Sequence, residues 1–189
     1  MNRPVADRAS GKHESPYRAA DVVVPAEALE AVSRLKSVGA VLVVVSNQPA
    51  AAKGTTTLTA LAEVNDAIVA AYANEGLAFD RIMYCHHHPD GVDPDLTGPC
   101  DCRKPSPGML VRAITELGIP DDVERWMIGD SDVDIEAGCA AGATTILVEE
   151  PLSDHRRMGN VNPDHRVGSV LFAAELVVAG VRHPSPGET

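Results

Sequence analysis

A segment in the middle of the chain gathers most of its cysteines beside a run of histidines. Three of the four cysteines fall within residues 85–102, and His86, His87 and His88 directly follow the first of them. Thiolate sulfur and imidazole nitrogen are the ligands that tetrahedral zinc prefers. The spacing Cys-x-His followed by Cys-x-Cys predicts one zinc site with four protein ligands: Cys85, His87, Cys100 and Cys102. His86 and His88 are spare donors that could take the place of His87.

Four protein ligands leave no open position, so the predicted zinc is structural rather than catalytic. The loop 89–99 between the ligand pairs is rich in Gly, Pro and Asp and holds little apolar surface. A bound metal would therefore explain how this loop keeps its shape. Cys139 stands apart, in an alanine-rich segment, and is predicted to be a small buried residue.

Polar residues also follow two predicted strands. Ser46 and Asn47 come after the apolar run 41–45, and their hydroxyl and amide groups can donate hydrogen bonds to phosphate oxygens. The same residue types favour turns and helix N-caps, which is the alternative interpretation. Three carboxylates follow the run ending at Ile128: Asp130, Asp132 and Asp134. They predict a site for a hard cation such as Mg²⁺. The alternative is that they only stabilise the N-terminus of the following helix, without a metal.

Two cations follow directly on the last predicted zinc ligand. Arg103 and Lys104 would stand on a loop fixed by metal, where they could neutralise a phosphate group; otherwise they are a solvated pair of charges. Lys53 follows Ser46 closely enough to reach the same place, although an exposed loop lysine is the simpler interpretation.

These residues need regular elements to position them. Apolar strands alternate with helical patterns, which predicts an α/β fold with a mostly parallel sheet and helices on both faces. Ligands bind such sheets at the carboxyl ends of the strands. The predicted helices are 25–38, a segment from Leu58 to Tyr72, 109–117 and 133–141, and the predicted strands are 40–45, 81–84, 126–128 and 144–148, with a last strand and helix within 165–180.

Length and composition limit the possible functions. A chain of 189 residues suits one domain, predicted to span 1–189 with loosely ordered ends at 1–15 and 182–189. The net charge of −11 argues against binding nucleic acid or anionic membranes. No apolar run is long enough to span a bilayer, and residues 1–15 lack the apolar core of a secretory signal. We therefore expect a cytoplasmic protein, and a monomer.

The order of these motifs is similar to that of a known family. Ser46-Asn47-Gln48, Cys85-x-His87, Cys100-x-Cys102-Arg103-Lys104-Pro105 and Gly129-Asp130-Ser131-x-x-Asp134 together resemble the zinc-containing D-glycero-D-manno-heptose 1,7-bisphosphate phosphatases. These belong to a branch of the haloacid-dehalogenase (HAD) superfamily that also contains histidinol phosphatases. The resemblance covers roughly residues 16–151.

The resemblance implies a three-layer Rossmann-like sandwich and a Mg²⁺-dependent phosphatase of a small sugar phosphate that works through an aspartyl-phosphate. It implies that Ser46 and Asn47 bind the transferring phosphoryl group. Lys104 would balance the charge of nucleophile and phosphate, and Arg103 would bind a phosphate of the substrate. It also implies that Asp130 and Asp134 serve Mg²⁺, and that the four predicted zinc ligands match those of the family.

The first motif of this family is a strand ending in Asp-x-Asp-Gly-Thr, and here it is degraded. The matching segment is Asp7-Arg8-Ala9-Ser10-Gly11, in which Asp7 stands for the nucleophile and Mg²⁺ ligand. Ala9 stands where the acid/base should be, and the strand before Asp7 is short and contains Pro4, which suits a central strand poorly. Either the chain is a degenerate relative, or a proper strand and Asp-x-Asp lie elsewhere.

Three functions remain open at this point. The first is the phosphatase. The second is a catalytically impaired pseudophosphatase that binds a sugar phosphate or a protein partner, which the segment from Asp7 to Gly11 favours. The third is a zinc-ribbon module that binds nucleic acid, which the acidic net charge and the α/β pattern disfavour.

Overall fold

A computed structural model describes residues 4–6 and 13–182 of the chain. These residues form seven strands and five α-helices, with two short 3₁₀ helices at Ala19–Asp21 and Pro151–Arg156. The strands are β1 Val5–Ala6, β2 His13–Glu14, β3 Val43–Asn47, β4 Arg81–Cys85, β5 Trp126–Gly129, β6 Thr144–Val148 and β7 His165–Val167. The helices are α1 Ala26–Ser37, α2 Leu58–Ala73, α3 Gly108–Glu116, α4 Asp132–Ala140 and α5 Val170–Arg182.

The predicted α/β fold with parallel strands is confirmed. The strand predicted at 144–148 coincides with β6, and the other predicted elements differ from the observed ones by a few residues at their ends. Local chemistry explains several boundaries. Thr57 caps α2 by accepting a hydrogen bond from Ala60 N at 3.1 Å, and Pro25 precedes α1 as its N-cap.

The parallel strands form two separate sheets. β3 pairs with β4, and β5, β6 and β7 form a second sheet in that order. β1 and β2 form an antiparallel ribbon of their own. Among the described residues, β3 and β5 each have a hydrogen-bonded strand on one side only. The single central sheet of the prediction is therefore divided between β3 and β5.

Side-chain burial follows this division. The largest cluster of core residues joins β6 to α5 through Ile146, Val148, Ala173 and Val177. A second cluster lies on α2, around Val64, Ile68 and Tyr72. None of the described helices has both the length and the apolar character needed to cross a bilayer.

Cys139 is exposed, so the prediction of a buried residue was wrong. It lies near the end of α4, where the neighbouring residues Glu136 and Ala140 are also exposed. An alanine-rich sequence gives no strong apolar stripe, so it does not show which face of the helix is turned inward.

Candidate functional site

The predicted metal ligands converge on one point. Ligand atoms of Cys85, His87, Cys100 and Cys102 all lie within 4.8 Å of one another, and we call these four residues the ligand cluster. Cys85 Sγ lies 3.8 Å from both Cys100 Sγ and His87 Nδ1. Cys102 Sγ lies 3.4 Å from His87 Nδ1 and 3.0 Å from Cys85 Sγ.

One of the two sulfur–sulfur distances matches a tetrahedral zinc ion, whereas Cys85 Sγ and Cys102 Sγ, at 3.0 Å, lie closer together than two zinc-bound sulfurs. A Zn–S bond of about 2.3 Å places two sulfurs of a tetrahedron about 3.8 Å apart, which is the separation of Cys85 and Cys100. Burial raises the pKa of the Cys85 and Cys102 thiols, so metal binding would have to displace their protons. The donor set therefore suits zinc in the type, number and proximity of its ligands.

Local structure brings the ligand cluster together. Cys85 ends β4 and is fully buried, while Cys100 and Cys102 return on the loop before α3. That return requires a glycine at position 108, because a Cβ there would lie 2.3 Å from the carbonyl oxygen of Asp101. The Gly108 amide instead donates to this oxygen at 3.1 Å, which closes the loop.

Lys104 connects the loop to both parallel sheets. Its side chain is almost fully buried, and its Nζ donates to Val45 O at 2.8 Å and forms an ion pair with Asp134 Oδ1 at 2.6 Å. Asn47 fixes its backbone from both sides, accepting from Lys104 N at 3.0 Å and donating to Lys104 O at 2.9 Å. The carboxyl ends of β3 and β5 therefore meet at one buried cation.

The turn after β5 is organised by Asp134. Its Oδ2 accepts hydrogen bonds from Asp130 N at 3.2 Å, from Ser131 N at 3.1 Å and from Ser131 Oγ at 2.6 Å, which forms a capping box at the start of α4. Gly129 permits this approach, because a Cβ there would lie 2.2 Å from Asp134 Cβ. Both carboxylate oxygens of Asp134 are thus occupied.

Asp130 differs from its two acidic neighbours. Within the described residues, its half-buried carboxylate has no hydrogen-bond or ion-pair partner. Asp132 is buried and accepts from Met158 N at 2.6 Å. Of the three carboxylates in this turn, Asp130 alone has both oxygens without a partner among the described residues, which leaves it the most available to a cation.

The remaining predicted residues lie along the same edge. Five of them line one cavity and are called here the polar edge: Ser46, Asn47, Arg103, Lys104 and Asp130. Arg103 Nη1 donates to His87 O at 3.1 Å, which ties it to the ligand cluster. Burial, together with the charges of Lys53 and Arg103, lowers the pKa of His88, so local positive charge is present despite the acidic chain.

Asp7 and Ala9 lie outside the described residues, so their predicted roles remain predictions. Lys53 is exposed and lines the same cavity as the polar edge.

Sequence reasoning missed two supporting contacts. Arg157, whose side chain is 11% exposed, donates from Nη1 to Asp130 O at 3.2 Å and so fixes the backbone of that turn. Asn65 of α2 exchanges two hydrogen bonds with Gln48, at 2.7 and 3.0 Å. Arg157 lies in a loop with no periodic pattern, whereas Asn65 could have been found as a polar residue among apolar positions of α2.

The chain resembles known proteins in both sequence and structure. Residues 101–172 match the HAD-hydrolase-like family. Two curated relatives are D-glycero-beta-D-manno-heptose-1,7-bisphosphate 7-phosphatases, from Yersinia pestis and Escherichia coli. Each is 38% identical over 121 residues, which cover 64% of this chain and 64% or 63% of the relative. The chain thus spans slightly less than two thirds of the length of these relatives.

Two solved structures share the fold. The D,D-heptose 1,7-bisphosphate phosphatase of B. bronchiseptica, complexed with magnesium and phosphate, aligns with a TM-score of 0.74 at 24% identity and covers 93% of this chain and 92% of that one. A HAD-like phosphatase of Mesorhizobium loti gives a TM-score of 0.74 at 27% identity, covering 93% and 82%. The predicted HAD-like fold and the predicted similarity to heptose bisphosphate phosphatases are confirmed.

Proposed function

We propose that the chain hydrolyses the phosphomonoester of a small sugar phosphate, of the heptose 1,7-bisphosphate type, in a Mg²⁺-dependent reaction. The position of Lys104 carries this proposal. Lys104 stands on the segment 100–107, called here the cluster loop, and its buried amine contacts both β3 and the turn after β5. A phosphate bound there would meet a fixed positive charge. Phosphoryl transfer depends mainly on such positioning and charge neutralisation.

Each residue of the polar edge has a role that its contacts permit. Ser46, the residue before the end of β3, is half-buried, and its hydroxyl would donate to a phosphate oxygen. Asn47 places Lys104 and keeps a second amide hydrogen for the substrate. Arg103, anchored to the cluster loop, would bind a phosphate group.

Magnesium would be held by Asp130, with Asp7 as a second ligand, and would neutralise charge on the phosphate oxygens. The magnesium in the B. bronchiseptica structure supports this proposal. Asp134 orients the turn that presents Asp130, because both of its oxygens are already engaged with Lys104 and with the turn itself. We therefore propose a positioning role for Asp134.

The covalent step would use Asp7. Its carboxylate would attack phosphorus, the P–O bond to the sugar would break, and the leaving oxygen would take its proton from solvent. Water would then attack the aspartyl-phosphate, which releases phosphate and restores the carboxylate. Ala9 offers no group to move these protons, and losing such help typically lowers the rate by about 10²- to 10⁴-fold. We therefore expect slow turnover.

The ligand cluster would hold a structural zinc ion beside this edge. Its four donors match a closed tetrahedral site, and Arg103 and Lys104 follow directly on its last ligand. Zinc would thus fix the loop that carries both cations.

A second function is binding of a sugar phosphate without turnover. Ala9 at the acid/base position favours it. The polar edge would then still hold the phosphate, since Ser46, Arg103 and Lys104 do not depend on Ala9.

A panel of phosphate esters tests the proposal. Purified protein with Mg²⁺ should release phosphate from a sugar phosphate, with heptose 1,7-bisphosphate among the substrates, and Asp7→Asn should abolish the release. If no ester is hydrolysed but sugar phosphates raise the melting temperature, the binding function is correct. If none is hydrolysed and none stabilises the protein, both functions are wrong.

A further inference from the structure

The segment that follows β6 is attached to the turn after β5 by two contacts that run in opposite directions. The side chain of Arg157 reaches the turn, where its Nη1 donates to Asp130 O at 3.2 Å. The side chain of Asp132 reaches back, and its Oδ2 accepts a hydrogen bond from Met158 N at 2.6 Å. Two adjacent residues, 157 and 158, therefore hold two positions of the turn, and we call them the anchor segment.

Arg157 also contacts the backbone after β6. Its Nη2 donates to Glu150 O at 3.0 Å and forms an ion pair with Asp154 Oδ1 at 3.1 Å. One guanidinium group thus connects the chain after β5 with the chain after β6, which its several N–H donors in a fixed plane allow. Lys104 holds the turn from the side of β3, and Arg157 holds it from the side of β6.

Burial shows which contacts of Arg157 matter. Its side chain is 11% exposed, whereas Asp154 is 85% exposed. An ion pair with a partner so open to solvent contributes little, so Asp154 does not account for the buried position of the guanidinium group. Burying a charged group is costly unless it is hydrogen-bonded, and the carbonyl oxygens of Asp130 and Glu150 supply the acceptors.

These contacts fix the backbone of Asp130 and leave its side chain available. The Asp130 amide donates to Asp134 Oδ2 at 3.2 Å, and its carbonyl accepts from Arg157. Its carboxylate has no hydrogen-bond or ion-pair partner among the described residues. The direction in which this carboxylate points therefore depends on how the two backbone groups are held.

We propose that Arg157 is a positioning residue of the metal site, which holds Asp130 in the orientation that binds Mg²⁺. This inference rests on the proposed function, in which Asp130 is a ligand of that ion. Arg157 acts through the Asp130 backbone and is not itself a ligand, because a protonated guanidinium group has no acceptor atom. Groups that orient a metal ligand typically change metal affinity by about 10- to 100-fold when they are removed.

The experiment measures metal binding directly. Mn²⁺ takes the same oxygen ligands as Mg²⁺, and electron paramagnetic resonance counts the free ion. Zn²⁺ is added first, so that the ligand cluster is not available to Mn²⁺. Arg157→Met should weaken Mn²⁺ binding by about 10- to 100-fold, and amide hydrogen exchange at residues 130–132 should become faster.

Three further variants accompany this measurement. Arg157→Lys keeps the charge but replaces the planar group by a single ammonium, so it should weaken Mn²⁺ binding less than Arg157→Met does. Arg166→Met is the matched control, because Arg166 donates to Val161 O at 3.2 Å in the same region and the structure records no contact between it and the turn among the described residues. It should leave Mn²⁺ affinity unchanged. Asp130→Asn should remove Mn²⁺ binding.

The outcomes separate this inference from the proposed function. If Asp130→Asn loses Mn²⁺ but a folded Arg157 variant binds it as tightly as the unchanged protein, the inference is overturned and the metal site stands. Equal weakening in Arg166→Met would also overturn it, since the effect would then be a general loss of stability. If the unchanged protein and Asp130→Asn bind Mn²⁺ equally, the proposed metal site is wrong and the role of Arg157 is wrong with it.

Discussion

The ligand cluster and the polar edge lie side by side but are assembled differently. The cluster draws its four ligands from 18 consecutive residues, 85–102. The polar edge draws on β3, the cluster loop and the turn after β5, which belong to two sheets that do not pair. One site is local, and the other depends on how distant segments are joined.

This difference determines what each site requires from the rest of the fold. The ligand cluster needs its four ligands and a loop that can bring them together. The polar edge also needs β3 and β5 to be held in the right positions relative to each other. The two sheets do not pair, but the contacts of Lys104 with Val45 and Asp134 hold them together at the carboxyl ends of their strands. The ligand cluster fixes the loop from which the Lys104 side chain reaches both sheets.

The largest expected effect concerns the ligand cluster. Cys102→Ser should abolish stoichiometric zinc binding and strongly lower the melting temperature, because structural zinc contributes on the order of 10 kcal/mol in small domains. Zinc content after dialysis and thermal unfolding measure both effects. Cys139→Ser is the matched control: this thiol is exposed and lies outside the cluster, so neither quantity should change. Equal zinc loss in both variants would show that the cluster is not the metal site.

A substitution in the first motif tests whether the missing acid/base at position 9 limits the rate of hydrolysis. Ala9→Asp should raise the rate of sugar-phosphate hydrolysis by about 10²- to 10⁴-fold, because it supplies the missing acid/base. Ala9→Asn has a similar size and cannot exchange the proton, so it should give no gain. If Ala9→Asp also gives no gain, the proton is handled by another group or Asp7 is not beside the polar edge.

Lys104→Met tests the link between the two sites. Removing the buried cation should lower phosphate release by about 10²- to 10³-fold and should destabilise the fold by about 3 kcal/mol, since Asp134 is left buried without its partner. Steady-state kinetics and urea unfolding measure the two effects. Lys53→Met removes an exposed lysine that lines the same cavity and should have little effect on stability. Similar losses in both variants would contradict a special role for Lys104.

The smallest expected effect concerns the turn after β5. Gly129→Ala would place a Cβ 2.2 Å from Asp134 Cβ, so the turn should shift, at a cost of about 1–3 kcal/mol. The concentration of Mg²⁺ needed for half-maximal activity should rise with it. Gly168→Ala is the control, because a Cβ there meets nothing within 4 Å and the backbone is not left-handed. An unchanged Mg²⁺ requirement in Gly129→Ala would separate this turn from metal binding.

The sequence predicts well what is decided locally. The helix α1 and the strand β6 follow from short apolar patterns, and the ligand cluster follows from ligand spacing within one loop. Division of the strands into two sheets depends on pairing between distant segments. The sequence before Asp7, which is short and contains Pro4, is a poor central strand, but only the structure shows that β3 and β5 border one cavity without pairing.

The supporting contacts of the site were harder to predict. Arg157 reaches the turn from 27 residues away, and nothing in its neighbourhood marks it as part of a site. Asp130, Asp132 and Asp134 look alike in sequence. Their contacts separate them, because Asp132 and Asp134 hold backbone amides and the carboxylate of Asp130 has no partner among the described residues.

The most direct test of the account compares Asp130→Asn with the unchanged protein for Mg²⁺-dependent phosphate release from a sugar phosphate. The account predicts measurable release that depends on Mg²⁺ and falls by about 10²-fold or more in the variant, since Asp130 would hold the metal. The melting temperature should stay nearly the same, because this carboxylate supports no contact within the described residues. Release that is equal in both proteins, or that does not require Mg²⁺, would contradict the account.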